Sequence, residues 1–173
     1  IMLMDVSASM KRSDRLPLLK EAFGKLLDHM RAEDRISVII YSNDAKVAVD
    51  GVSASQRETI FSSIDRLVVA GSPKGKSALK KAYKLAQENF ISGGNNRIIM
   101  ATDGFFEIDD LFSLASKING SSIALSVFSF GNLSKDRHSA LGRLAEMGNG
   151  NYKNITRTNI DNALLEEAKA VRK

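Results

Sequence analysis

Ile1-Met2-Leu3-Met4-Asp5-Val6-Ser7-Ala8-Ser9 opens the chain, a short apolar run that ends on one carboxylate and two hydroxyls at alternate positions. Much further along, Ile98-Ile99-Met100-Ala101-Thr102-Asp103-Gly104 repeats the plan: an apolar run, then an acid and a glycine. If Ile1-Met4 and Ile98-Met100 are neighbouring parallel strands, Asp5, Ser7, Ser9 and Asp103 converge at one edge of the sheet. Hard oxygen donors clustered in this way suit Mg²⁺, which keeps several oxygens from water or from a partner. A metal-centred binding site is therefore the first expectation and an enzyme the second.

Outward from these two runs, short apolar segments alternate with segments of helical period, the pattern of a sheet covered on both faces. Leu16, Leu19, Phe23, Leu26, Leu27 and Met30 recur at helical spacing, and Ile36-Ser42 reads as a buried strand. Ser42-Asn43-Asp44-Ala45 is turn chemistry, so Lys46-Val49 is expected as an antiparallel edge strand. Ser55-Gln56-Arg57-Glu58 has the form of a capping box opening a helix through Leu67. A third helix is expected from Ser77 to Phe90, a strand over Arg97-Thr102, and a fourth helix around Leu111, Leu114, Ala115 and Ile118. Ile123-Phe130 is the next strand, Ser134 caps the helix carrying Leu141 and Leu144, and Tyr152-Ile155 is a short last strand. Thr158-Asn159-Ile160-Asp161 then starts a terminal helix towards Val171. The expectation is α/β: a doubly wound, mostly parallel central sheet with helices on both faces and one antiparallel edge strand. Residues 1–173 form a single such domain, and a chain that begins inside a strand suggests excision from a larger protein.

Composition narrows the function classes. A net charge of +5 comes from Lys and Arg scattered along helices rather than blocked together, which fits solvated faces and not a nucleic-acid footprint. With 6% aromatic residues and no Trp, platforms for stacking bases are poorly supplied. The apolar runs are too short to insert in a bilayer. No cysteine is present, so thiolate metal sites and disulfides are excluded. His29 and His138 fall on expected helices away from the motif, and no Gly-x-Ser-x-Gly elbow or zinc spacing occurs.

Asp5-Val6-Ser7-Ala8-Ser9-Met10 resembles the Asp-x-Ser-x-Ser signature of von Willebrand factor type A domains, relatives of integrin inserted domains. Thr102-Asp103-Gly104 is similar to that family's fourth-strand aspartate, and Gly148-Asn149-Gly150-Asn151-Tyr152 to its late glycine-rich turn. Strand and helix order match over essentially the whole chain. The resemblance implies a divalent cation, Mg²⁺ or Mn²⁺, at the carboxyl ends of the strands. Ser7 and Ser9 would give it hydroxyl oxygens directly, and Asp5 and Asp103 would act directly or through water. Neutral hydroxyls leave the ion's charge under-neutralised, so an Asp or Glu of another protein completes the coordination. It further implies a non-enzymatic interaction domain of adhesion type. The parent protein is expected to be bacterial and either extracytoplasmic or membrane-anchored.

One position departs from the pattern. The family places a threonine two residues after the glycine of the loop before the third helix, and here Gly71-Ser72-Pro73 puts a proline there. Ser72 is the substitute donor, although a residue before proline is biased towards extended backbone. Two alternatives remain beside the main reading. Ala70-Gly71-Ser72-Pro73-Lys74-Gly75-Lys76-Ser77 satisfies a relaxed phosphate-loop pattern, in which Lys76 would meet terminal phosphates and Ser77 a Mg²⁺ ion. Pro73 removes an amide donor from such a loop. Otherwise the same surface binds without metal, with Lys74 and Lys76 meeting an acidic partner directly.

Overall fold

Alternation along buried strands divides the core in two. In the computed structural model, which describes residues 1–170, the first strand, β1, spans Met2–Asp5 and is buried throughout. Met2 and Met4 point into one apolar layer and Leu3 into the other. The remaining strands are β2 (Arg35–Tyr41), β3 (Ala45–Ser53), β4 (Arg97–Thr102), β5 (Ala124–Phe130) and β6 (Asn149–Ile155). They form one sheet in the order β3-β2-β1-β4-β5-β6, parallel except where β3 pairs antiparallel with β2 at the edge.

Helices cover both faces. α1 (Leu16–Asp28), α2 (Arg57–Asp65) and α6 (Ile160–Ala170) bury Leu19, Phe23, Ile60, Ile64 and Leu164 in the layer that receives Met2 and Met4. α3 (Gly75–Glu88), α4 (Asp109–Asn119) and α5 (Lys135–Met147) bury Leu79, Leu111, Ile118, Leu141 and Leu144 in the layer that receives Leu3. The doubly wound α/β expectation holds, antiparallel edge strand included. α6 begins at Ile160, and Val171, expected near its end, lies outside the described residues.

Several boundaries differ from expectation. Ser55 caps no helix: its hydroxyl lies 2.7 Å from that of Ser53, and α2 starts at Arg57 with no side-chain cap. The serine is drawn to its neighbour at the end of β3, and the helix starts one residue later than a Ser55 cap would place it and ends at Asp65, two residues short of Leu67. β3 runs the whole of Ala45–Ser53 because the hairpin ladder continues past two register shifts to Arg35↔Ser53. α3 starts at Gly75, so Ser77 lies inside its first turn. Ser134 does cap α5, accepting from the Arg137 amide at 3.3 Å.

A buried ion pair fastens the end of the sheet remote from the Asp-x-Ser-x-Ser segment. Arg97 Nη1 lies 3.0 Å from Glu167 Oε1 and donates to Ser126 Oγ at 2.7 Å, while Asn151 Nδ2 donates to Glu167 Oε2 at 3.0 Å. Six residues of β4 separate Arg97 from the Asp103 end, roughly 20 Å at strand rise.

Candidate metal centre

β1 and β4 are adjacent and parallel, with Met4 opposite Ala101. The chain leaves β1 towards β2 on one side and β4 towards β5 on the other, so the strand order reverses between them. A crevice at the carboxyl ends of the strands forms at such a switch point. Asp5 is the last residue of β1, and Asp103 follows the last residue of β4. The sheet brings together acids that stand far apart in sequence.

The backbone after β1 turns at once. The Ser7 amide donates to Asp5 Oδ1 at 2.8 Å, and the Met10 amide donates to the Ser7 carbonyl at 2.9 Å within the 3₁₀ turn Ala8–Lys11. Met10 is fully buried and anchors that turn. The tight winding sets the Ser7 and Ser9 hydroxyl oxygens 3.1 Å apart. On the β4 side, Thr102 Oγ1 donates to Asp5 Oδ2 at 2.9 Å and accepts from the Gly104 amide at 2.9 Å. The Phe105 amide donates to Asp103 Oδ1 at 3.2 Å. Asp5 and Ser7 are 0% exposed and Asp103 is 1% exposed. Of the expected site residues, Asp5, Ser7, Ser9 and Asp103 line one cup.

Burying an acid here carries an electrostatic cost. The Asp5 carboxyl is raised from 3.8 to about 6, chiefly by burial, with the Asp103 carboxylate adding to the rise and hydrogen bonds from Ser7 and Thr102 opposing it. Tyr41, opposite Asp5 in the ladder, is raised too, first by burial and then by the Asp5 charge. Among the described residues its buried hydroxyl makes no hydrogen bond of ordinary geometry, and the nearby Thr102 hydroxyl offsets part of the rise.

Arg15 enters the cup from just before α1. Its Nη1 donates to Asp103 Oδ2 at 2.7 Å and to the Ser9 carbonyl at 2.6 Å, and the side chain is 11% exposed. Its guanidinium lies 5.3 Å from the centre of the Phe105 ring, within cation–π range. Its Nε is buried without a hydrogen-bond partner among the described residues.

The donor set fits Mg²⁺ or Mn²⁺ in kind. Two hydroxyls and two carboxylates are hard oxygen donors, and the unpartnered Tyr41 hydroxyl beside them would suit a bound water. Among the described residues no cluster of three or more His, Cys, Asp or Glu could hold a metal. Any ion here therefore depends on the serine hydroxyls as well as on the two carboxylates, one of which is paired with Arg15.

The loop of residues 70–74 lies against the cup through its backbone: the Ala70 amide donates to the Val6 carbonyl and the Ala8 amide to the Gly71 carbonyl. Gly71 has φ +75°, and a Cβ there would sit 2.6 Å from Asn43 Nδ2, so no other residue fits without displacing Asn43. Asn43 Oδ1 accepts from the Ser72 amide at 3.0 Å. Ser72 itself is exposed, and among the described residues no hydrogen bond joins its hydroxyl to the cup. The phosphate-loop alternative finds little support in the same segment. Residues 67–70 form no strand, the Ser77 hydroxyl donates back to the Lys74 carbonyl, and Lys76 pairs with Asp110 at 3.3 Å. His138 meets the Tyr152 hydroxyl on the α5–β6 side, and His29 follows α1.

Sequence reading missed Arg15, Tyr41 and the Thr102 hydroxyl. Arg15 closes the charged stretch Lys11-Arg12-Ser13-Asp14-Arg15, which has the composition of a solvated loop. Thr102 was legible only as part of Thr-Asp-Gly, because its partner Asp5 lies 97 residues away.

The profile of the von Willebrand factor type A domain matches residues 1–105. An uncharacterised protein of Escherichia coli K12, YfbK, is 38% identical over 160 residues, covering 90% of this chain. The chain spans 28% of the length of that relative. An aerotolerance-related membrane protein of Bacteroides fragilis superposes with TM-score 0.76 at 21% identity, covering 98% of this chain and 97% of that one. The manganese-loaded TRAP protein of Plasmodium vivax superposes with TM-score 0.76 at 14% identity, covering 95% of this chain and 70% of that one. At those identities the two structures speak to the fold alone. Signature, sheet order and profile agree, and the chain belongs to the von Willebrand factor type A domain family.

Proposed function

We propose that this domain is a protein-interaction module that captures an Asp or Glu of a partner through a divalent cation, Mg²⁺ or Mn²⁺, held in the cup. The observation that carries the reading is the paired hydroxyls of Ser7 and Ser9, 3.1 Å apart, beside two carboxylates at most 1% exposed. A fold seeking only stability gains nothing from burying two acids together. Ser7 and Ser9 would be direct ligands, with Asp5 and Asp103 binding directly or through water, and Ser72 reachable only if its loop shifts. The ion supplies positive charge that a partner carboxylate can complete. The protein's part is to hold Asp5 by Thr102 and the Ser7 amide, to orient Asp103 by the Phe105 amide, and to bury Asp5, Ser7 and Asp103 while leaving Ser9 partly open to solvent.

Binding, not catalysis, is the role these residues favour, since the two histidines lie elsewhere and the Asp5 carboxylate beside Ser7 is already held by Thr102 and the Ser7 amide. The manganese-loaded neighbour lends support to a cation in this fold, and the membrane-protein neighbour to an extracytoplasmic or anchored bacterial parent. Among the described residues no helix is long and apolar enough to cross a membrane.

Thermal melts in EDTA and in rising Mn²⁺ test the reading. At ten times Kd, mass action adds about 1.4 kcal/mol, or about 3–6 °C for a domain of this size. Ser7→Ala should lose that rise while melting normally in EDTA. Acetate added to the Mn²⁺-loaded domain should then lower water proton relaxation as a carboxylate displaces bound water. A melting temperature indifferent to Mn²⁺ would leave a second reading, favoured by the hold of Arg15 on Asp103. In it the same surface binds an acidic partner without metal, Lys74 and Lys76 making the contact, and binding survives chelator but weakens with salt.

A further inference from the structure

Two carboxylates and one guanidinium share the cup, leaving one negative charge uncancelled. An acidic partner approaching that arrangement is repelled. Arg15 also holds one carboxylate oxygen of Asp103: Oδ2 accepts from Nη1 at 2.7 Å, while Oδ1 accepts from the Phe105 amide and keeps a second lone pair. A dication and a guanidinium on one carboxylate oxygen repel each other strongly in so buried a place.

The seat of Arg15 is incomplete. The residue is 9% exposed, yet among the described residues its Nε has no acceptor, and a buried donor left unsatisfied weakens the arrangement that contains it. The seat also depends on Gly131, whose φ is +87° and where a Cβ would lie 2.9 Å from Nε. Phe105, 54% exposed at the rim, already touches the guanidinium with its ring face. Arg15 can leave Asp103 without leaving the ring, because any place over the ring face within about 6 Å of its centre keeps the cation–π attraction.

From these contacts we propose that Arg15 is a resident cation that competes with the divalent ion for Asp103 and so decides when the site accepts a partner's carboxylate. Seated, Arg15 closes the cup and leaves it net negative. Displaced onto Phe105 by an incoming dication, it leaves the cup neutral and adds a positive charge at the rim. Cation binding and capture of an acidic side chain are coupled through this one side chain, each favouring the displaced state. The inference rests on the cation reading above.

Mn²⁺ titration followed by the electron paramagnetic resonance signal of the free ion tests it, with no partner present. Arg15→Gln should bind Mn²⁺ at least about tenfold more tightly than the wild type, a difference of about 1.4 kcal/mol. Arg15→Lys, a charge with a smaller donor fork, should fall between them. Arg97→Lys alters a buried arginine at the far end of the sheet and should match the wild type. Should Arg15→Gln not fold, tighter binding by Arg15→Lys supports the proposal and equal binding overturns it. Equal or weaker binding by Arg15→Gln overturns the role of Arg15 while leaving the cation site standing. Absence of Mn²⁺ binding in every variant, Arg15→Gln included, overturns both readings.

Discussion

Replacing Asp5 by Asn separates a residue kept for function from one kept for stability. In the fold the Asp5 carboxyl titrates at about 6 against 3.8 in a free chain. An acid raised in the folded state is favoured there in its protonated form, so its ionisation works against folding. Metal-free stability from this group is greatest below pH 3.8, falls as pH rises through 6, and is flat above it. The shift corresponds to about 3 kcal/mol at pH 7. Asp5→Asn keeps the shape and removes the charge. Its amide oxygen still accepts from the Ser7 amide, and its NH₂ meets Thr102 Oγ1, which must turn from donor to acceptor. Allowing for that rearrangement, the variant should gain about 1–3 kcal/mol in EDTA at pH 7. The melting temperature then rises by about 2–12 °C. The same variant should lose most cation-dependent stabilisation. Melts in EDTA from pH 4.5 to 8 check both signs: the advantage of Asp5→Asn should shrink as pH falls through 6. A variant less stable than wild type at pH 7, or an advantage independent of pH, refutes the argument that a strained carboxylate is held for an ion.

Two other substitutions probe the loop and the frame. Pro73→Thr restores a hydroxyl beside the cup and should tighten Mn²⁺ binding measured calorimetrically; no gain means the loop sits too far away to contribute. Glu167→Gln leaves Arg97 buried and uncompensated and should cost about 3–5 kcal/mol in urea denaturation. Its Mn²⁺ response should remain, since the pair lies at the other end of β4.

Much of the architecture was legible because burial imposes periodicity. Met2, Leu3 and Met4 needed only to alternate between two layers, and Leu16 to Leu27 to recur at helical spacing, for strand and helix to be told apart. Asp5, Ser7, Ser9 and Asp103 were legible because strand ends place them, and β1 next to β4 was the single topological assumption required. Local hydrogen-bond competition was not legible: Ser55 had the spacing of a cap but found Ser53 nearer. Nor was the occupant of the cup. Arg15 reaches Asp103 across 88 residues, and nothing in a charged loop announces which of its side chains folds inward. Ser72 was the substitute for a family threonine whose position Pro73 occupies, yet the Asn43–Gly71 contact fixes the loop by its backbone and leaves the hydroxyl outside.

If the cup exchanges a guanidinium for a metal ion, the exchange is visible in a crystal grown in Mn²⁺ and measured for anomalous scattering. A peak is expected between Ser7, Ser9 and Asp103, with Arg15 withdrawn from Asp103 towards Phe105. A map with no peak there and Arg15 still bonded to Asp103 contradicts it.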